Sequence, residues 1–404
     1  MPVNLPVMAI LEAVPGIRIG TADAGIRDNG RDDVAVFAFE PGSTVGGVYT
    51  RNSYRAAPVE IASVCPGPAR GFVANSGNAN AATGKRGFND AMHACSYLAS
   101  LLDCDVTEVL PFSTGVIGEF LPMEKLLAGI DRGYRGLDPD HWDRAAVAIM
   151  TTDTAPKGLS NRFNLGGREA ISTGIVKGSG MIRPDMATLL AFVGTNASIT
   201  PEVARRLTLD LAELSFNRLT IDGDTSTNDS FVVVASGVGD HQTIRDTSSS
   251  EYFELFDGLT PIARELAIRT VRDAEGATRF ITIHVNGGRD SSECKLVAYT
   301  VAQSPLVKTA LFAGDPNWGR FCMAIGRAGI EDLDPSRVSL NLNDVRVATG
   351  GLVADSYREE DGAEVMAQDE YDITIDLGRG SSKETIWTSD LSYEYVRINA
   401  EYRS

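Results

Sequence analysis

The pattern of hydrophobic and polar positions predicts helices interleaved with strands. Thr200-Pro201 offers an N-cap residue followed by proline at the first helical position, and apolar residues then recur on one helical face over 203–214. The same pairing of a hydroxyl residue with proline predicts helix starts at Thr260-Pro261 and Ser304-Pro305. A fourth helix is predicted over 89–102.

The strands follow two different patterns. Residues 371–377 alternate apolar and polar side chains, as a sheet with one buried face requires. Residues 231–235 and 189–193 are continuous apolar runs, which is typical of strands buried on both faces. Strands of both kinds, interleaved with amphipathic helices, predict a layered α+β protein.

The composition indicates a soluble globular protein. The 404 residues are 43% hydrophobic and 23% charged, which allows two sizeable cores or one large layered core. No apolar run approaches the roughly 20 residues of a membrane helix. Residues 1–16 lack a basic leader and a cleavage site, so we expect mature protein without a signal peptide.

The net charge of −17 argues against a nucleic-acid surface, since phosphate binding needs clustered Lys and Arg. Small-molecule chemistry in the cytoplasm fits this charge better. We expect no nucleic-acid partner and no membrane partner.

Signatures of metals and nucleotide cofactors fail on inspection. The five cysteines show no C-x-x-C spacing, and residues 178–180 lack the third glycine of a dinucleotide loop. The polar stretch 222–229 resembles a calcium loop, but Thr227 stands where glycine is needed and Val233 where a bidentate glutamate is needed. We therefore expect no metal and no cofactor, and a turn network of side chains over 222–229.

One threonine has a possible chemical role. None of the four histidines lies in a recognisable Ser-His-Asp sequence pattern. An enzyme with a nucleophilic side chain would therefore need another base, such as an N-terminal amine with a reference pKa of about 7.7 to 8. Attack of the Thr188 hydroxyl on the Ala187 carbonyl would give an ester, and hydrolysis of that ester would free the α-amine of Thr188. The simpler interpretation is that Thr188 is an ordinary strand residue, since β-branched side chains favour strands.

An acyl-transfer site also needs donors for an oxyanion. The stretch 113–118, Ser-Thr-Gly-Val-Ile-Gly, follows an apolar segment at 109–111 and suits a strand-to-loop junction. An ordinary glycine-rich turn is the alternative.

Together these stretches resemble the ornithine acetyltransferase family, also called bifunctional glutamate N-acetyltransferases, which are self-cleaving enzymes of arginine biosynthesis. The matching segments are "AAPV" (56–59), "NSGNANAATG" (75–84), "STGVIGE" (113–119), "MTTDTAPK" (150–157), "KGSGMIRPDMATLLAF" (177–192), "SFNRLTIDGDTSTNDS" (215–230), "EGATR" (275–279), "SPLVKTALFAGDPNWGR" (304–320) and "YVRINAEYRS" (395–404). They run in order along nearly the whole chain.

The resemblance implies the family's layered αββα sandwich, which self-processing aminopeptidases share. It also implies cleavage between Ala187 and Thr188, giving an α chain of 1–187 and a β chain of 188–404 that assemble as a heterotetramer with two copies of each. Thr188 would be the nucleophile, and Thr114 with Gly115 would form the oxyanion hole. The implied substrate-binding residues are Thr154, Lys177, Thr188, Glu275, Asn399 and Ser404.

The implied reaction transfers an acetyl group from N-acetylornithine to glutamate through acetyl-Thr188. Whether acetyl-CoA is a further donor stays open at this stage. One alternative is a self-processing N-terminal-nucleophile aminopeptidase or hydrolase, which would pass the acyl group to water. Another is a catalytically silent relative that serves as a binding protein.

Overall fold

The computed structural model describes residues 2–27, 30–65, 67–183 and 189–401. The strands are β1 (Ile17–Ala22), β2 (Val34–Phe39), β3 (Thr44–Tyr49), β4 (Gly67–Pro68), β5 (Gly71–Asn75), β6 (Val109–Ser113), β7 (Lys157–Leu165), β8 (Arg168–Lys177), β9 (Leu190–Thr195), β10 (Leu219–Thr220), β11 (Ser230–Ala235), β12 (Phe280–Gly288), β13 (Ser339–Leu342), β14 (Val345–Thr349), β15 (Leu352–Val353), β16 (Glu370–Asp376) and β17 (Ser382–Ser389). The helices are α1 (Ala57–Ser63), α2 (Gly84–Leu102), α3 (Met123–Arg135), α4 (Trp142–Ala148), α5 (Pro201–Leu214), α6 (Ser250–Arg272), α7 (Ser291–Ala302), α8 (Pro305–Ala313), α9 (Trp318–Gly326), α10 (Glu359–Met366) and α11 (Tyr393–Ala400).

Two of the predicted helix starts are confirmed. The Thr200 hydroxyl accepts a hydrogen bond from Val203 N–H at the start of α5, and the Ser304 hydroxyl accepts one from Val307 N–H at the start of α8. The helix predicted over 89–102 is also present, as the larger part of α2.

The helix start predicted at Thr260-Pro261 is wrong. Helix α6 begins at Ser250, where the Ser249 hydroxyl caps it, and Pro261 lies inside the helix. The Thr260 hydroxyl donates to Phe256 O at 2.7 Å, as an interior helical threonine can. A proline inside a helix costs about 3 kcal/mol, but the buried apolar face of α6 is long enough to offset that loss.

Two packed sheets with helices on both outer faces form the first part of the fold. The four-stranded sheet has the order β1-β2-β5-β6, and the six-stranded sheet has the order β4-β3-β11-β9-β8-β7. Strands β9 and β11 are buried along their whole length, which confirms the prediction for the two apolar runs. Both lie in the interior of the six-stranded sheet, so neighbouring strands and packed layers cover them.

Phenylalanine rings join the two sheets. Phe192 of β9 lies 5.2 Å from Phe37 and 5.0 Å from Phe112, centroid to centroid, and Phe72 lies 5.0 Å from Phe112. On the far face of the four-stranded sheet, valines pack against α2 and α3, while α5 and α6 cover the far face of the six-stranded sheet. The arrangement is the expected αββα sandwich.

The other part of the fold contains a third, seven-stranded sheet with the order β10-β17-β12-β16-β13-β14-β15. Its strand β16 covers most of the alternating run predicted over 371–377, and helices α7, α8 and α9 pack on it in a second large core. Across the described ranges, no helix has the length and apolarity that crossing a membrane requires.

The aromatic contacts between the sheets set a stability expectation. Replacing Phe72 with alanine removes a fully buried ring from a packed cluster and should destabilise the protein by about 3–5 kcal/mol. Phe253→Ala is the matched control, because that ring is 54% exposed. Chemical denaturation of both variants checks this, and similar losses for the two would contradict the account of the core.

Candidate active site

A cavity of about 250 Å³ lies where loops from the sandwich meet the C-terminal helix. It is lined by the loop after β6, the turn before β7, the segment after β8, the polar stretch before β11, the turn after α6, and α11. Five of the predicted site residues are among its lining: Thr114, Gly115, Lys177, Glu275 and Asn399. The predictions for Ala187, Thr188 and Ser404 fall outside the described residues.

The loop after β6 is held by a side chain that the sequence analysis did not single out. Asn228 Nδ2 donates to Ser113 O at 2.8 Å and to Ala79 O at 2.6 Å. It belongs to the polar stretch 222–229, where the expected turn network is present: Asn228 N–H donates to the Ser226 hydroxyl. The stretch therefore ties the loop of Thr114 to the strand β11 that follows it.

Gly115 occupies a position that only glycine fits. Its φ is +135°, and a Cβ there would lie 2.2 Å from the carbonyl carbon of Gly77. The neighbouring N–H groups of Thr114 and Val116 donate to Asn75 O and Gly77 O. Among the described residues, the Gly115 N–H donates to no backbone carbonyl. A backbone donor of this kind beside a cavity suits an oxyanion.

Lys177, the last residue of β8, contacts Thr114 directly. Its buried Nζ donates to Thr114 Oγ1 at 3.0 Å. Burial lowers the pKa of the Lys177 ammonium below its ordinary value, although the nearby Asp153 carboxylate acts in the opposite direction. Because the lysine supplies a donor to Oγ1, the proton of the Thr114 hydroxyl is available to a group in the cavity.

A buried cluster of charges lies beneath these residues. Lys157 Nζ donates to Asp153 Oδ1 at 2.7 Å and to Asp273 Oδ2 at 2.6 Å, and all three side chains are almost completely inaccessible. Asp153 also accepts from Gly178 N–H at 2.7 Å and from Thr151 N–H at 2.9 Å. Burial by itself would raise the pKa of Asp153, but the ammonium groups of Lys157 and Lys177 hold it well below its usual range.

Thr154 lies in this cluster and does not line the cavity. Its hydroxyl donates to Asp273, and its N–H donates to the same carboxylate at 3.1 Å. The cavity is lined instead by Thr151 and Thr152 of the same turn. Substrate binding by Thr154 thus stays a prediction.

Glu275 lies on the cavity wall at the turn after α6. Its Oε2 accepts from Asn399 Nδ2 at 2.8 Å, and its Oε1 accepts from the Thr152 hydroxyl at 2.7 Å. Its own N–H donates to Ser179 O at 2.7 Å, which joins this turn to the segment after β8. Among the residues that the structure describes, the cavity lining therefore carries one cation, Lys177, and one anion, Glu275, which match the carboxylate and ammonium groups of an amino acid.

Comparisons with known proteins show the family of this chain. The ArgJ family model matches residues 18–404. The arginine biosynthesis bifunctional protein ArgJ of Pseudomonas syringae pv. tomato is 49% identical over 405 residues, and that of Pseudomonas fluorescens is 47% identical; each alignment covers all of both chains. A crystal structure of the arginine biosynthesis bifunctional protein ArgJ of Bacillus halodurans matches with 33% identity and a TM-score of 0.49, covering 52% of this chain and 98% of that one. The chain belongs to the ArgJ family.

The buried charge cluster predicts a pH-dependent loss of stability. Asp153→Asn removes one of the two carboxylate partners of the buried Lys157 and the charged acceptor of the Gly178 N–H, and should cost about 3–5 kcal/mol near neutral pH. Because the folded-state pKa of Asp153 is depressed, its contribution is complete above the unfolded pKa of about 3.9 and is lost as the pH falls further. The difference in the free energy of unfolding between wild type and variant should therefore become smaller in acid.

Chemical denaturation of both proteins across this pH range provides the measurement. Asp131→Asn is the control, because that carboxylate forms a surface ion pair with Arg135 and should contribute no more than about 1 kcal/mol. Equal losses for Asp153→Asn and Asp131→Asn would contradict the role of the buried cluster.

Proposed function

We propose that the protein transfers the acetyl group of N-acetylornithine to glutamate by a ping-pong reaction through acetyl-Thr188. The observation that carries the proposal is one cavity that combines the donors of Thr114 and Gly115 with the charges of Lys177 and Glu275, in a chain of the ArgJ family. Acyl transfer needs hydrogen-bond donors that stabilise the oxyanion. The two amino-acid substrates need opposite charges in the cavity wall to bind their carboxylate and ammonium groups.

Self-cleavage prepares the nucleophile. The Thr188 hydroxyl adds to the Ala187 carbonyl, the C–N bond breaks, and the proton moves from oxygen to nitrogen, so an amide becomes an ester. Water then hydrolyses the ester, which leaves a carboxylate on Ala187 and restores the Thr188 hydroxyl. The products are the α chain, 1–187, and the β chain, 188–404, whose terminal amine can act as the base.

Acetyl transfer uses the same hydroxyl. The α-amine takes its proton while the oxygen attacks the acetyl carbonyl of N-acetylornithine, and the Thr114 hydroxyl and the Gly115 N–H donate to the oxyanion. The intermediate collapses, the ammonium of Thr188 returns the proton, and ornithine leaves as the amine. Glutamate then attacks acetyl-Thr188 through its own amine in the reverse sequence.

The cavity's charges orient both substrates. Lys177 donates one N–H to Thr114 and has further N–H groups for a substrate carboxylate. Glu275 and Asn399 lie together at the other charged part of the wall, where a substrate ammonium would be stabilised. Thr154 and Ser404 complete the set of proposed substrate-binding residues. No metal or organic cofactor enters these steps.

Three further properties are part of the proposal. The curated relatives are named bifunctional proteins, which supports acetyl-CoA as a second acetyl donor to glutamate. The two chains are proposed to assemble as a heterotetramer with two copies of each. The enzyme is placed in the cytoplasm, where its amino-acid substrates are available.

Thr188→Ala tests the self-cleavage and the nucleophile together. Without the hydroxyl, no ester forms, so the variant should remain one chain and should transfer no acetyl group. Mass spectrometry under denaturing conditions reports cleavage, and formation of N-acetylglutamate from isotopically labelled glutamate reports transfer. Thr349→Ala, at an exposed threonine of β14, should behave as wild type.

A Thr188→Ala protein that is cut between 187 and 188, or that still transfers acetyl, would overturn this role. Release of free acetate at an unchanged rate when glutamate is omitted from the wild-type assay would instead favour the hydrolase alternative.

Thr114→Val tests the oxyanion hole. The substitution keeps the branched shape but removes the hydroxyl, and loss of one oxyanion donor should lower kcat by about 10²–10³-fold with a much smaller effect on KM. Rates are normalised to the amount of cleaved chain, because self-cleavage can use the same donors. Thr114→Ser retains a hydroxyl and should keep most activity, whereas a loss as large as that of Thr114→Val would indicate a packing effect.

A further inference from the structure

The segment that leads to the proposed cleavage bond is held in an unusual conformation. Met181 has a φ of +56°, a left-handed conformation that is unfavourable for a residue with a side chain, and the residue is 43% exposed. No turn glycine relieves the strain at this position. Something else must therefore stabilise the backbone here.

That stabilisation comes from one carboxylate in the polar stretch 222–229. Met181 N–H donates to Asp222 Oδ2 at 2.6 Å, and Ile182 N–H donates to Asp222 Oδ1 at 2.8 Å. Successive N–H groups around a left-handed residue form a concave anion site, or nest, and Asp222 occupies this one. The carboxylate also accepts from the Tyr395 hydroxyl of α11 at 3.1 Å and from Asp224 N–H at 3.2 Å.

Ile182 is fixed through its carbonyl as well. Ile182 O accepts from Ile221 N–H at 2.9 Å and from the Thr220 hydroxyl at 3.0 Å. The Ile182 side chain is completely buried in the core formed with α5 and α6. Strand β10 and the residue after it thus hold the carbonyl of Ile182, while Asp222 holds its N–H.

The chain is fixed again on the other side of the proposed cleavage bond. Leu189 is buried, its carbonyl accepts from Ser230 N–H at 2.9 Å, and β9 begins at the next residue between β8 and β11. The Ala187–Thr188 bond therefore lies between two anchored positions, 182 and 189. The downstream anchor belongs to a sheet. The upstream anchor combines the buried side chain and bonded carbonyl of Ile182 with the two N–H bonds to Asp222, and only Asp222 holds the N–H groups at the left-handed turn.

We propose that Asp222 is a positioning residue for self-cleavage, which holds the upstream end of the segment through its hydrogen bonds to Met181 N–H and Ile182 N–H. The inference rests on the proposed cleavage at Ala187–Thr188. Attack by Thr188 on its own preceding carbonyl requires a close approach, and a loose upstream end would spread the segment over unproductive conformations. The carboxylate itself takes no part in the bond changes.

Asp222→Asn is the direct test. An amide offers one oxygen in place of two, so one of the two N–H groups loses its acceptor, and cleavage should slow by about tenfold or more. The full chain is produced by cell-free translation, and the uncut and cut forms are followed in time by mass spectrometry. Asp334→Asn is the matched control: that carboxylate accepts Ser336 N–H in an exposed turn far along the chain, and its loss should leave cleavage unchanged.

Two more variants separate positioning from folding. Tyr395→Phe removes a contact to Asp222 but leaves both backbone bonds, so cleavage should change by less than about threefold. Met181→Gly removes the strain at the left-handed position, so adding it to Asp222→Asn should restore part of the cleavage rate. Thermal melting of each variant in a Thr188→Ala background reports the stability of the uncut chain.

The proposal predicts slow cleavage in Asp222→Asn, a cooperative melt of its uncut form, and partial rescue by Met181→Gly. Cleavage of Asp222→Asn at the wild-type rate would overturn it. The proposal would also be overturned if Asp222→Asn showed no cooperative thermal transition and the double variant showed none either. Asp222 would then act through folding alone. A wild-type chain that never cleaves would instead contradict the proposed function.

Discussion

Lys157 lies completely buried between two aspartates, and the geometry of the cavity depends on that ion cluster. Asp153 holds the N–H groups of Thr151 and Gly178, while Asp273, at the end of α6, holds Thr154. Removing one partner would leave an uncompensated charge in the interior, so the three side chains constrain one another. The cluster thereby fixes the turn before β7, the end of β8 and the turn of Glu275 relative to each other.

The candidate site uses this frame to bring together groups that are distant in sequence. The loop of Thr114 and Gly115 comes from the four-stranded sheet, Lys177 comes from the six-stranded sheet, and Asn399 comes from the C-terminal helix. The polar stretch 222–229 connects them, since Asn228 holds the loop after β6 and Asp222 holds the segment after β8. One stretch of turns thus supports both the proposed oxyanion hole and the proposed cleavage segment.

Local patterns predicted the elements well where local interactions decide them. Hydroxyl residues before proline marked the starts of α5 and α8, and continuous apolar runs marked β9 and β11. The same pattern failed at Thr260-Pro261, because packing of the long buried face of α6 keeps the helix continuous through Pro261. The spacing of residues in the sequence does not show how deeply that face is buried. Family resemblance, not spacing, selected Glu275 and Asn399, whose contact spans 124 residues. Asn228 and the buried ion cluster were missed because a contact that defines each spans a long stretch of sequence: 115 residues from Asn228 to Ser113 and 116 residues from Lys157 to Asp273. Only the polar character of 222–229 pointed to part of this network.

The central claim is that Thr188 carries the acetyl group between the two substrates. Purified, cleaved protein should be mixed with N-acetylornithine in the absence of glutamate, quenched in acid and analysed by mass spectrometry. If Thr188 is the acetyl carrier, the chain beginning at Thr188 gains the mass of one acetyl group at that residue and loses it when glutamate is added. Transfer of acetyl to glutamate without any acetylated Thr188 at early times would contradict this role of Thr188.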